Sequence, residues 1–157
     1  MKIREASFTE VYEIRKWLKD TASWLKEKNI PQWERFLKEE NTEICLKDYN
    51  DGKLYVLEND NKKIIGAMSF GFPEDIDIKL WDNPENAYYI HRIVISKDFR
   101  GLKKGEFMIR WAKDIAKADK KEIRLNCVKE NRFLFNYYIN QGFQYEGEKL
   151  EYHLFKI

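Results

Sequence analysis

The sequence predicts an α/β (α+β) fold built on one mixed sheet with helices on both faces, and three observations carry that prediction. A strand at 87–95, a helix from 106 and a strand at 122–128 form a β-α-β unit, which requires two parallel strands. Apolar runs at 54–57 and 64–70 flank Asn59-Asp60-Asn61, a hairpin signal that adds antiparallel strands. The full order reads β-α-α-β-β-β-α-β-α-β-β, so the sheet is mostly antiparallel with one parallel pair.

Each element follows from its own pattern. Residues 2–6 read as a short strand. Thr9 is placed to cap a helix whose apolar positions Val11, Ile14, Trp17 and Leu18 recur at helical spacing. Trp24 and Leu25 form a second apolar set, ended by Asn29, Ile30 and Pro31. Residues 34–48 read as helical, with Phe36, Leu37 and Ile44 on one side. A loop containing Pro73 and Pro84 precedes the strand at 87–95. Phe107, Met108, Trp111, Ala112, Ile115 and Ala116 then mark the stripe of a helix that packs on the sheet. Residues 131–141 read as a helix stopped by Gly142. The last strands fall near 143–147 and 149–156, with Glu146-Gly147 between them.

The chain of 157 residues fits a single domain over 1–157. Its 29 basic and 27 acidic residues leave a net charge of +2, and both signs are scattered, which argues against a nucleic-acid-binding face. Cys45 and Cys127 sit in no close-spaced metal pattern, so no metal is expected and both read as free thiols of a reducing, cytoplasmic setting. Residues 1–5 lack the apolar stretch of a signal peptide, and no apolar run approaches the roughly 18 residues of a membrane span.

The chemistry concentrates after the strand at 87–95. A strand, a glycine-containing turn and a helix start aim successive backbone N–H groups at one place and make an anion site. Arg100, Lys103 and Lys104 add positive charge, and a pyrophosphate is the natural guest. Four stretches then stand in a joint order: IREA at 3–6, YYIHRIVISKDFRG at 88–101, IRLNCVKEN at 123–131 and YYINQGF at 137–143. In that order the sequence resembles the GNAT acyltransferase superfamily over essentially its whole length. The resemblance implies the GNAT fold, acetyl-CoA as cofactor, and direct attack of a primary amine on the acyl group in a ternary complex. The acceptor would be a small molecule or a peptide, with no nucleic acid and no membrane involved, and a homodimer is compatible. The alternative is a module of the same fold that binds coenzyme A with little turnover. Lys103 keeps it open, because the family pattern has glycine there to let backbone approach phosphate.

The same resemblance assigns roles. Ile93, Val94 and Ile95 would run along the pantetheine arm. Arg100, Gly101, Leu102, Lys103, Lys104, Gly105 and Glu106 would hold the pyrophosphate. Asn131 would meet the pantetheine amides, and it suits a helix N-cap equally well. Tyr138, four residues before Gly142, matches the general acid, while Tyr137 reads as packing. His91 would share a strand face with Ile93 and Ile95. An imidazole there suits deprotonation of an ammonium, with a hydrogen-bonded structural histidine as the equal alternative. Trp33 and Tyr89 are expected in the acceptor pocket, with Asp75, Asp77 and Asp82 on a loop near its mouth.

Overall fold

The computed structural model describes residues 1–157. The seven strands are β1 Lys2–Glu5, β2 Leu54–Glu58, β3 Ile64–Gly71, β4 Ala87–Ile95, β5 Glu122–Val128, β6 Gln144–Lys149 and β7 Tyr152–Lys156. They form one sheet in the order β1-β2-β3-β4-β5-β7-β6. Every neighbouring pair is antiparallel except β4 with β5, as the β-α-β pattern requires. The helices are α1 Val11–Glu27, α2 Ile44–Asn50, α3 Asp75–Leu80, α4 Lys104–Ala118 and α5 Arg132–Asn140.

Alternation along the strands sends apolar side chains to two cores. On one face Val11, Ile14, Leu18 and Ala22 of α1 pack on Leu54, Val56, Ala67 and Val94. On the other, Met108, Ile109, Ala112 and Ala116 of α4 pack on Leu57, Ile65, Met68 and Ile123.

Several boundaries differ from the sequence pattern. Ser7, not Thr9, makes the capping box that starts the first helical turn, with Glu10 as its partner. Trp24 and Leu25 belong to the continuous α1. Residues 34–48 are not one helix: two short 3-10 turns at Glu34–Leu37 and Glu39–Glu43 precede the seven-residue α2. There the Asn41 side chain donates to the Arg35 carbonyl at 2.7 Å and Thr42 Oγ1 donates to the Glu39 carbonyl at 2.6 Å. Such local side-chain bonds compete with the helix ladder. The loop before β4 contains the unexpected α3, and the final hairpin turns at Leu150 and Glu151 instead of Glu146-Gly147.

Two irregularities shape the centre of the sheet. Val94 pairs with Ala67 and His91 with Ser69, so three steps on β4 oppose two on β3. Arg92, at φ 53, sits in this bulge. The extra residue reverses the alternation, which corrects the shared face expected for His91, Ile93 and Ile95. Val94 joins the α1 core, Ile93 and Ile95 pack against the α4 core, and His91 shares the face of Ser69 and Ala67. The second irregularity is a split. β4 and β5 pair only at Ala87–Glu122, Tyr88–Ile123 and Tyr89–Arg124. Beyond those three pairs the strands part.

Candidate active site

The split opens into a cavity of about 950 Å³ between β4, β5, α5 and the segment that follows α1. Ile93, Val94 and Ile95 form part of its wall, as expected for residues of a strand with no partner on the β5 side. Asn126 and Val128 of β5 face them.

At one end of the cleft, β4 runs into the turn before α4. Gly101 at φ 76 and Lys103 at φ 55 both take the left-handed conformation. The backbone N–H groups of residues 101–106 donate to no protein acceptor. Six consecutive free donors at a helix start suit an anion. Lys103 therefore gives the turn the backbone that a glycine would give, and adds a charge. The side chains around it are arranged differently from the sequence expectation. Arg100 is not a mobile cation: its Nη2 donates to Thr21 Oγ1 at 2.8 Å and its Nε to the Ile95 carbonyl at 3.3 Å. It thereby ties the turn to α1. The Leu102 side chain points to solvent. Gly105 gives room to Tyr137, because a Cβ there would lie 3.0 Å from the Tyr137 hydroxyl. Tyr137 is more than packing, since it lines the cavity, and burial pushes its phenol up to about 12.

Tyr138 lies in the cavity wall with 7% of its surface exposed, its ring against Phe143 and Phe155. Burial, reinforced by Cys127 and Tyr137, raises its phenol well above the ordinary range, so it carries its proton. Asn131 is the N-cap of α5, its side chain accepting from Leu134 N–H at 3.0 Å, and its amide also donates to Gln32 at 2.9 Å. The N-cap reading is met, and the residue also lines the cavity.

Another part of the cavity wall holds an ionic network. Arg92 donates from Nε and Nη2 to Asp48, both at 2.8 Å, and also binds Glu74. Burial works to raise Glu74, yet nearby His91 and Arg92 prevail and hold its carboxyl at about 2. His91 Nε2 bonds Asp77 Oδ2 at 2.8 Å, and its side chain is 11% exposed at the cavity wall. Trp33 lines the cavity as expected. Tyr89 does not: it is fully buried, with its hydroxyl donating to the Pro84 carbonyl at 3.1 Å and accepting from Arg124. Its place on the sheet puts it beneath the pocket, among Leu80, Trp81 and Leu154. Of the three loop aspartates only Asp75 lines the cavity, and Asp77 lies buried behind His91.

Asn126 was not singled out by sequence reasoning. Its Nδ2 is buried, without a protein partner, at the cavity. The available signal was a lone amide among the apolar residues of β5. An orphaned donor beside a partnerless strand suits a ligand with amide carbonyls, and six free N–H groups suit its phosphates.

A parted parallel pair leading to a run of free N–H groups is what a group-transfer enzyme with an extended, phosphate-bearing donor would need. The comparisons with known proteins agree. The model of the acetyltransferase (GNAT) family matches residues 11–143. The uncharacterized N-acetyltransferase YesJ of Bacillus subtilis is 29% identical over 155 residues, 96% of this chain and 86% of YesJ. A GNAT-family acetyltransferase of Listeria monocytogenes superposes with a TM-score of 0.84 at 31% identity, covering 99% of this chain and 93% of that one. The PaiA N-acetyltransferase of Thermoplasma acidophilum, solved with coenzyme A, shares the fold with a TM-score of 0.70 at 17% identity over 99% and 96% of the two chains. The chain belongs to the GNAT family and is an acyl-CoA-dependent acetyltransferase. No helix is long and apolar enough to cross a membrane.

Proposed function

We propose that the protein transfers an acetyl group from acetyl-CoA directly to a primary amine, with both substrates bound together in the cleft. The observation that carries this reading is the parting of β4 from β5 with Tyr138 in the wall between them. Acetyl-CoA supplies a thioester: its C–S bond breaks as an amide C–N bond forms, and the ammonium's two surplus protons end on sulfur and solvent.

The protein's residues divide the remaining work. Residues 101–106 bind phosphate through backbone N–H groups, with Lys103 and Lys104 adding charge. Asn126 and Asn131 meet the arm's amides, and Ile93, Val94 and Ile95 form the wall along it. Tyr138 gives its proton to the departing sulfur and is restored by one proton of the attacking nitrogen. Burial keeps that phenol protonated, so it meets the departing sulfur as a donor. His91 takes the ammonium's other proton and passes it to solvent. The amine enters past Trp33, on the side of the Arg92 network. Buried Cys45 and Cys127, both free, support a reducing, cytoplasmic setting.

Tyr138→Phe tests the central role. The variant keeps the ring packing, so coenzyme A affinity by calorimetry should stay within a few-fold of wild type. Turnover with acetyl-CoA and an amine panel, read as thiol release, should fall ~10²-fold or more. An unchanged rate would return Tyr138 to the core.

A further inference from the structure

We propose that Asp77 is a positioning residue for acetyl transfer: it holds the Nε2–H of His91 and so presents Nδ1 of that ring to the cavity as the proton acceptor for the incoming ammonium. The inference rests on the reading of His91 given above. Asp77 is wholly buried in α3. Its Oδ2 accepts from His91 Nε2 and from the backbone N–H of Glu74, each at 2.8 Å. The backbone bond fixes the carboxylate independently of the histidine. Its Oδ1 has no protein partner. A buried carboxylate oxygen left unpaired is costly for stability alone, and calls for a role beyond packing.

The hydrogen-bond inventory sets the tautomer. A carboxylate can only accept, and a neutral imidazole has one donor and one acceptor nitrogen. A carboxylate at this position thus selects Nε2–H and leaves the lone pair on Nδ1. Nδ1 has no protein partner, and the ring forms part of the cavity wall. The Tyr89 ring lies parallel to it, with centroids 6.2 Å apart and planes at 9°. The Tyr89 hydroxyl is anchored to Pro84 and Arg124. The logic is that of an orienting carboxylate behind a catalytic imidazole, where loss of the carboxylate gives the wrong tautomer.

The test is Asp77→Asn, an isosteric change that removes the charge. Nitrogen-15 spectra of the full chain report the tautomer directly. There are two histidines in the sequence, and His153→Gln leaves the signal of His91 alone. The wild type should show Nε2–H, and the variant a rise in Nδ1–H. In kinetics with the amine panel, kcat/KM at neutral pH should fall about 10-fold or more, with coenzyme A affinity unchanged. The charged and titratable groups around the ring are Asp77 and Glu74 at α3, Arg92 and Tyr89 on β4, and Asp48 of α2 behind Arg92. Removing one anion from that set disfavours the imidazolium, so the acid limb of the pH–rate profile should move to lower pH. Asp77→Glu, which keeps the carboxylate, should restore part of the Nε2–H signal. An Nδ1–H tautomer in the wild type would overturn the inference even if Asp77→Asn failed to fold. A wild type that turns over amines while Asp77→Asn keeps its tautomer and profile would overturn the part played by Asp77 alone. A wild type that turns over no amine would overturn the reading of the site, and this inference with it.

Discussion

At Lys103 the side chain and the backbone have separate jobs. The backbone is left-handed at φ 55, a conformation that strains a residue with a Cβ by roughly 1–2 kcal/mol. Lys103→Gly relieves that strain but frees the unfolded chain, so the melting temperature should change by only a few degrees. Binding tells the two roles apart. With the six free N–H groups preserved, coenzyme A should still bind to the glycine variant, a few-fold more weakly and with a shallower dependence on salt, as titration calorimetry at two ionic strengths would show. Single residues also mark the limit of what the sequence discloses. Tyr138 and Asn131 were legible as cavity residues because the family resemblance singles them out, beside Gly142 and at the start of α5. Asn126 and Asp77 were not, because their meaning comes from the empty space beside β5 and from a histidine on another strand. Tyr89 misled for the same reason: its place in β4 was read correctly, but tertiary packing turned its ring beneath the pocket.

The element that decides the site is β4. Its hydrophobic run announces a strand, but nothing in the run announces the bulge at Arg92. The bulge depends on partners far along the chain, Asp48 on α2 and Glu74 just before α3. Together they hold a buried guanidinium, 5% exposed, in the fork geometry that arginine provides. Arg92→Met keeps the bulk and strands two acidic side chains. It should lower stability by about 3–5 kcal/mol, measured by urea unfolding, as removal of one partner from a buried ion pair does. Arg92→Lys, with a single point charge for two carboxylates, should recover only part of the loss. The same dependence explains why α3 escaped detection. Its six residues show too short a period to be read, and the capping box of Glu74 and Asp77 that starts it also serves Arg92 and His91.

For the molecule as a whole, acid should act through two carboxyls held below their ordinary range. The bidentate Arg4 beside Glu10 holds that carboxyl at about 2, and Glu74 stands at about 2 in the Arg92 network, against an ordinary value of 4.5 for each. A depressed folded-state pKa stabilises above the unfolded value and stops doing so as pH falls through the folded one. The melting temperature should therefore hold steady above about pH 5 and fall progressively between about 4.5 and about 2, measured by calorimetry. The sheet order was legible at this scale because hairpins and one β-α-β unit leave few topologies. The split between β4 and β5 was not, since nothing in either run marks where pairing stops, and only the three pairs at their start hold them together. That seam works as a fulcrum. From Tyr89 to Ile95 the strand extends about 20 Å, so a tilt of only about 3° at the seam moves its far end by about 1 Å. Substitutions at Ala87, Tyr89 or Arg124, none of which lines the cavity, thus have leverage over the width of the gap at its other end.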